Sequence, residues 1–306
     1  MKLTKSEDDH FIWPSDLVTV THMNHLTEVQ YMARMNSTNH IRKLDKHRYV
    51  DLSDGEIKEF THTENRKESF NSLRQTFKRL RYLINNNFVG GNNEWHVTLT
   101  YHENMTDTKR LYSDFFKFMK RLKYRYKQYS SVDYLSVVEP QGRGAWHCHV
   151  LVRFNDVDTI LITDDDIRDL WPFGVQVTAK TLKDVDNIGA YLSAYLSDVE
   201  LTDVNCESYL FAHGTPLIPF KETSDGKRYI KGGRLHMYPP GMNLYRRSKG
   251  IRDPDRVKMK YADIKSVVGT AIPHYTATYN IEDLDNDFSN VLVYEQYNTK
   301  RNKSDI

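Results

Sequence analysis

Glu139-Pro140-Gln141-Gly142-Arg143-Gly144-Ala145-Trp146-His147-Cys148-His149 is the stretch on which the reading of this chain turns. It continues into Val150-Leu151-Val152-Arg153-Phe154, a β-branched and aromatic run that predicts a strand. Side chains alternate along a strand, so His147 and His149 share one face, about 6–7 Å apart at roughly 3.3 Å per residue, and Cys148 faces the other way. Val132 to Glu139 predicts a second strand, and Pro140 to Gly144 has the composition of a tight turn. The hairpin returns Glu139 to the side of His147. Two imidazoles and a carboxylate with open coordination positions make the donor set of a catalytic divalent-metal site. A His-x-His pair on a strand is a weak pattern alone, so the neighbouring segments decide.

Working outward, Trp95 to Tyr101 predicts a strand, followed by a helix whose inner face is Leu111, Phe115, Phe118, Leu122 and Tyr126. The hairpin comes next. Thr163 then caps a short helix opening on Asp164-Asp165-Asp166, and Gly174 to Ala179 predicts a fourth strand. Strand, helix, strand, strand, helix, strand is the ferredoxin-like βαββαβ order, an α+β fold with an antiparallel sheet and helices on one face. If Cys148, Val150 and Val152 face those helices, the histidines point to a face left open for a site.

A further helix is expected through Asn187 to Leu196, capped by Asp184 or Asp186. Tyr191 and Tyr195 are four apart on it, so both hydroxyls leave one face, and Gly189 with Ala190 allows close approach of another backbone. A tyrosine pair at this spacing serves packing more often than chemistry. Beside a metal site, however, tyrosine is a competent covalent nucleophile.

These segments resemble the HUH endonucleases, the rolling-circle replication initiators of plasmids and phages, and in particular the replication-associated proteins of Gram-positive mobile elements. The resemblance covers about residues 55–250. It rests on Glu64-Asn65-Arg66 before a basic helix, Val97 to Tyr101, Glu139 with Arg143 to His149, and Val185 to Tyr191; Arg234 to Gly241 is similar as well. It implies that His147, His149 and Glu139 hold Mg²⁺ or Mn²⁺. Tyr191 would attack a phosphate of single-stranded or hairpin origin DNA to leave a 5′-phosphotyrosine, and Tyr195 would be the second nucleophile. Host helicase and DNA polymerase are the implied partners, since no Gly-x-x-x-x-Gly-Lys-Ser/Thr phosphate loop is present. One departure stands out: the lysine common three residues after the family's nucleophile is Ala194 here, and Asp198 stands where another can follow. That leaves an origin-binding, weakly nicking regulator as an alternative, beside a relaxase or transposase with the same chemistry. An RNA-binding module on the same βαββαβ topology is a third reading.

Net charge is only +2, but it is unevenly spread. Residues 64–127 hold 14 Lys and Arg against 6 Asp and Glu, and residues 221–260 hold 12 against 4. Between them, residues 156–203 hold 3 against 11. Two basic blocks can therefore follow a phosphate backbone. In the first, Phe70, Leu73, Phe77, Leu80 and Ile84 mark an amphipathic helix flanked by Arg74, Lys78 and Arg81. Candidate DNA contacts are these three with Arg66, Arg143, Lys180, Lys183, Arg246 and Arg247. Lys180 or Lys183 is also the substitute for the missing family lysine. Three segments are expected: an arm and basic helix over 1–90, with residues 1–40 loosely ordered, a nicking domain over 91–203, and a basic extension over 204–306. With two cysteines, no signal sequence and no long apolar run, a cytoplasmic setting without membrane contact is expected.

Overall fold

The computed structural model describes residues 2–34, 41–45, 47–60, 70–141, 144–174, 177–183, 185–197, 199–201, 221–222, 228–230, 237–238, 242–283 and 288–301. The chain divides into two compact units, one of residues 1–64 with 254–306, the other of residues 65–253. These boundaries differ from the division at 90 and 203. The first unit contains an antiparallel six-stranded sheet in the order Lys2–Lys5, Pro273–Asp283, Phe288–Asn298, Leu26–Met32, Leu17–Met23, Asp255–Lys260. Residues 1–40, expected as a loose arm, thus supply three of its strands. The alternation in Leu17–Met23 buries Val18 and Val20 against Val29 and Val293, and Ile264 and Val268 close that core. The other three strands come from the far end of the chain, so the amino-terminal stretch alone shows too little apolar surface to read as a sheet. Asn24, at φ 55, turns the hairpin between Met23 and Leu26 in the left-handed conformation that Asn tolerates.

The second unit is built on a five-stranded antiparallel sheet in the order Thr178–Thr181, Glu94–Leu99, Trp146–Phe154, Val132–Pro140, Tyr245–Arg247. Helices α1 (Phe70–Asn87), α2 (Thr108–Tyr126), α3 (Asp164–Leu170) and α4 (Ile188–Ser197) accompany it. Along the chain the central elements follow the expected strand, helix, strand, strand, helix, strand order, and the fold is α+β with antiparallel sheets. Asp107 caps α2 by accepting from the Lys109 and Arg110 N–H groups, and Thr163 with Asp166 forms a reciprocal capping box on α3. On one face of the sheet, Val97, Leu99, Cys148, Val150 and Val152 pack with Leu111, Phe115, Phe118 and Leu122 of α2 and Ile167 of α3.

The opposite face, expected to be open, is partly covered. Leu135, Val137 and Leu151 pack there with Leu80, Leu83 and Ile84 of α1 and Ile188 and Leu192 of α4. The helix stripe in residues 70–84 was legible, but its destination was not, since a stripe does not name the face it buries. Gly189 is what lets α4 lie so close on α1. A Cβ there would stand 2.7 Å from Asn85 Oδ1, 2.8 Å from Arg81 Cγ and 2.9 Å from the Arg81 carbonyl oxygen. Gly189→Ala should therefore destabilise the protein by about 1–3 kcal/mol through overpacking. A lower urea midpoint at unchanged slope would show it, and an unshifted midpoint would mean that the two helices do not meet at Gly189.

Candidate functional site

The antiparallel register between Val132–Pro140 and Trp146–Phe154 pairs Glu139 with His147 and Val137 with His149. On the other side of the histidine strand, Thr98 pairs with His149, and beyond it Lys180 pairs with His96. Paired residues share a face of the sheet, so Glu139, His147, His149, His96, Thr98 and Lys180 gather on one side. Glu139 and His149 are buried, at 7% and 5% exposure, which places them beneath the rim of the site rather than on an open surface. His147 is half-buried.

Hydrogen bonds link the group. His149 Nε2 is in contact with Glu139 Oε2, His149 Nδ1 lies 3.0 Å from His96 Nε2, and Thr98 Oγ1 stands 3.4 Å from the same Nδ1. Burial pushes the His149 imidazole down to about 4. Burial, followed by the charges of His149 and Lys180, pushes His96 down to about 3. Both rings are therefore neutral at pH 7, with one N–H each. The consistent assignment has His149 Nε2–H donating to the Glu139 carboxylate and His96 Nε2–H donating to His149 Nδ1. The Gln141 side-chain amide lies 3.3 Å from His147 Nδ1 and orients that ring. Among the described residues, no three His, Cys, Asp or Glu side chains stand together as a ready-made metal cluster. Cys148 is fully buried on the other face with its thiol pushed up by desolvation, which suits packing and not chemistry.

Helix α4 brings the tyrosine. Its first turn is capped by Asn187, whose Oδ1 accepts from the Ala190 N–H, and Asn85 of α1 accepts from the Gly189 N–H. The cap is thus Asn187, in place of the expected Asp184 or Asp186; its Oδ1 also accepts from the Asn85 amide, which joins the two helices. The Tyr191 ring meets His96 edge-on, with centroids 6.1 Å apart and planes at 87°. His96 therefore touches both a residue of the histidine hairpin and the first tyrosine. Its place in the sequence is informative in retrospect: His96 and Thr98 alternate on the first strand as His147 and His149 do on theirs.

The candidate DNA contacts separate. Lys180 lies at the site, and Lys183 is exposed a few residues further on. Lys78 and Arg81 of α1 lie over the Tyr82 ring, at 5.3 Å and 5.7 Å. Arg246 and Arg247, expected in a loop, belong to the fifth strand, because Tyr245 to Arg247 extends the sheet edge opposite Leu135 to Val137. Arg247 donates to Asp253 and to the Ile251 carbonyl, which makes it structural. Arg246 pairs with Ser136, on the α2 side of the sheet and away from the histidines. Arg66, Arg143 and Asp198 lie outside the described residues, as do the side chains of Arg74, Ala194 and Tyr195.

Residues 94–200 match a family of replication-associated proteins, those of the ORF2 type. That is 107 of the 306 residues, running from the first strand through the tyrosine helix, and this segment is similar to those proteins. The similarity supports a role in replication. No curated protein and no solved structure matches the chain. Among the described residues, no helix is long and apolar enough to cross a membrane.

Removing the His96 ring leaves the buried Nδ1 of His149 without its 3.0 Å partner. His96→Ala should cost about 1–3 kcal/mol, the range for orphaning a buried polar atom. Chemical denaturation measures this; a variant as stable as the parent would show that the His96–His149 bond is not formed.

Proposed function

We propose that this chain is a replication initiator of the rolling-circle type, which nicks and rejoins one DNA strand through a tyrosine on a ferredoxin-like HUH core. The observation that carries the reading is the convergence of three sequence-distant segments. The hairpin with Glu139, His147 and His149, the first strand with His96, and α4 with Tyr191 meet on one face of one sheet. The same span matches the replication-associated family.

Two imidazoles and one carboxylate fit a divalent cation, and Mn²⁺ accepts both donor types. Glu139, His147 and His149 would hold it. When bound, such a cation supplies polarisation of a phosphoryl oxygen. The protein's own residues then have defined tasks. Ligation through His149 Nε2 needs that ring's proton on Nδ1, so His96 Nε2 turns from donor to acceptor and fixes the tautomer. The amide of Gln141 does the same for His147 if its oxygen faces Nδ1–H, an orientation that follows the proton on the ring. Tyr191 attacks phosphorus through its phenolic oxygen. The bond to the 3′-oxygen breaks, the phenolic proton leaves, and the 3′-oxygen takes up a proton as the 3′-hydroxyl. The 5′-phosphate stays on the tyrosine, and reversal of the step by a 3′-hydroxyl rejoins the strand. Lys180, on the same face as His96, places a positive charge beside the phosphate and substitutes for the family lysine at Ala194. Tyr195, four residues on, is the second nucleophile.

The direct Glu139–His149 contact and the lack of a ready-made three-group cluster among the described residues favour one other reading, an origin-binding protein with little nicking. Incubating the protein with single-stranded origin oligonucleotides separates the two. With Mn²⁺ or Mg²⁺, a covalent protein–DNA adduct should form on a denaturing gel, vanish in EDTA, and fall at least a hundredfold in rate for His149→Ala. Tight binding without an adduct in either metal would establish the binding-only reading. Manganese titration followed calorimetrically should give one site per chain, lost in His149→Ala and Glu139→Ala.

A further inference from the structure

Helix α2 packs its inner face on the side of the sheet opposite the histidines, among Val97, Leu99, Cys148, Val150 and Val152. Its outer face has an unusual composition. From Thr108 to Lys127 the helix and its cap carry eight Lys and Arg, and the one acidic residue, Asp114, is buried at 3% exposure. Arg110 and Lys117 are drawn to Asp114, and Arg125 to Asp166. Lys109, Lys120, Lys123 and Lys127 have no ion pair among the described residues. Aromatic rings stand among these cations. Phe116 is 69% exposed and Tyr124 71%, although the core side of the helix is already filled by Phe115, Phe118 and Leu122. Tyr112, Phe116, Lys120 and Tyr124 follow one another at four-residue steps, so they form a single stripe with Cβ atoms about 6 Å apart. Arg246, from the edge strand, lies 3.8 Å over the Tyr112 ring, and Lys127 lies 4.2 Å over that of Tyr124.

We propose that this outer face of α2, with Arg246, binds single-stranded DNA along a path separate from the candidate nicking site. Rings set among lysines are the pattern that stacks unpaired bases and follows their phosphates. A duplex would use the lysines but leave Phe116 and Tyr124 without partners, since its bases are already stacked on one another. An apolar protein segment fits less well. Between Phe116 and Tyr124 the stripe is interrupted by Lys120, and no Leu, Ile, Val or Met of this helix is among the strongly exposed apolar residues. The placement suits a strand that the site is not cutting, such as one displaced during copying, held on the other side of the sheet. The surface is independent of the nicking chemistry and stands if that chemistry fails.

The test uses the full chain carrying Tyr191→Phe, in EDTA, so that neither metal nor covalent capture contributes. A fluorescent oligothymidylate reports binding by anisotropy, a duplex of equal length serves as comparison, and iodouracil-substituted strands report the contact by photo-crosslinking. Phe116→Ala with Tyr124→Ala should weaken single-strand binding at least tenfold, leave duplex binding within twofold, and leave the melting temperature unchanged. Phe116→Tyr should retain binding. Replacing Lys120 and Lys123 by Gln should lower the slope of log affinity against log salt by about 1.4, two phosphates at ~0.7 each. Crosslinks should map to residues 108–127. Unchanged single-strand affinity in the aromatic double variant, or crosslinks confined to α1 and the histidine face, would overturn the proposal. Loss of an acidic protein partner in that variant, with DNA binding intact, would assign the surface to protein docking and overturn it equally.

Discussion

The register between Val132–Pro140 and Trp146–Phe154 is the constraint on which the second unit depends. Pairing Glu139 with His147 and Val137 with His149 sends Cys148, Val150 and Val152 into one core and His149 and Leu151 to the other side. A slip of one residue would exchange those faces, burying imidazoles under α2 and exposing valines. The register is held because both faces are buried, each against its own pair of helices. Chemistry and stability therefore draw on one hairpin, and the candidate site needs no separate scaffold.

The site is a meeting of four neutral or paired polar groups in a nearly dry place. Glu139 accepts from His149, His149 accepts from His96, and the edge of His96 meets Tyr191. Burial keeps both imidazoles uncharged, which is the state in which they can ligate a cation. Since the carboxylate and the imidazole already share one hydrogen bond, a cation entering there would exchange that bond for two stronger contacts. In its absence the same bond offsets the cost of burying the carboxylate.

Much of this was legible in the sequence, for reasons that differ by element. His147, Glu139 and the strand order followed from alternation and turn composition, which are local. Tyr191 followed from its helix and from resemblance. His96 was missed because a lone histidine in a strand carries no signal until its neighbours across the sheet are known. The amino-terminal strands were missed for the same kind of reason: Leu17–Met23 and Leu26–Met32 complete their sheet with Phe288–Asn298 and Asp255–Lys260, from the far end of the chain. The covering of the histidine face by α1 and α4 depended on Gly189, whose lack of a side chain reads as an absence in sequence and as a contact in the fold.

The most direct test of the central claim is to locate the DNA on the protein. After reaction with an origin strand and nuclease trimming, mass spectrometry of the tryptic peptides should place a nucleotide phosphate on Tyr191 of the α4 peptide. A nucleotide on a residue outside α4, or none on any peptide after metal-dependent reaction, would contradict the assembly of hairpin, His96 and tyrosine helix into one nicking site.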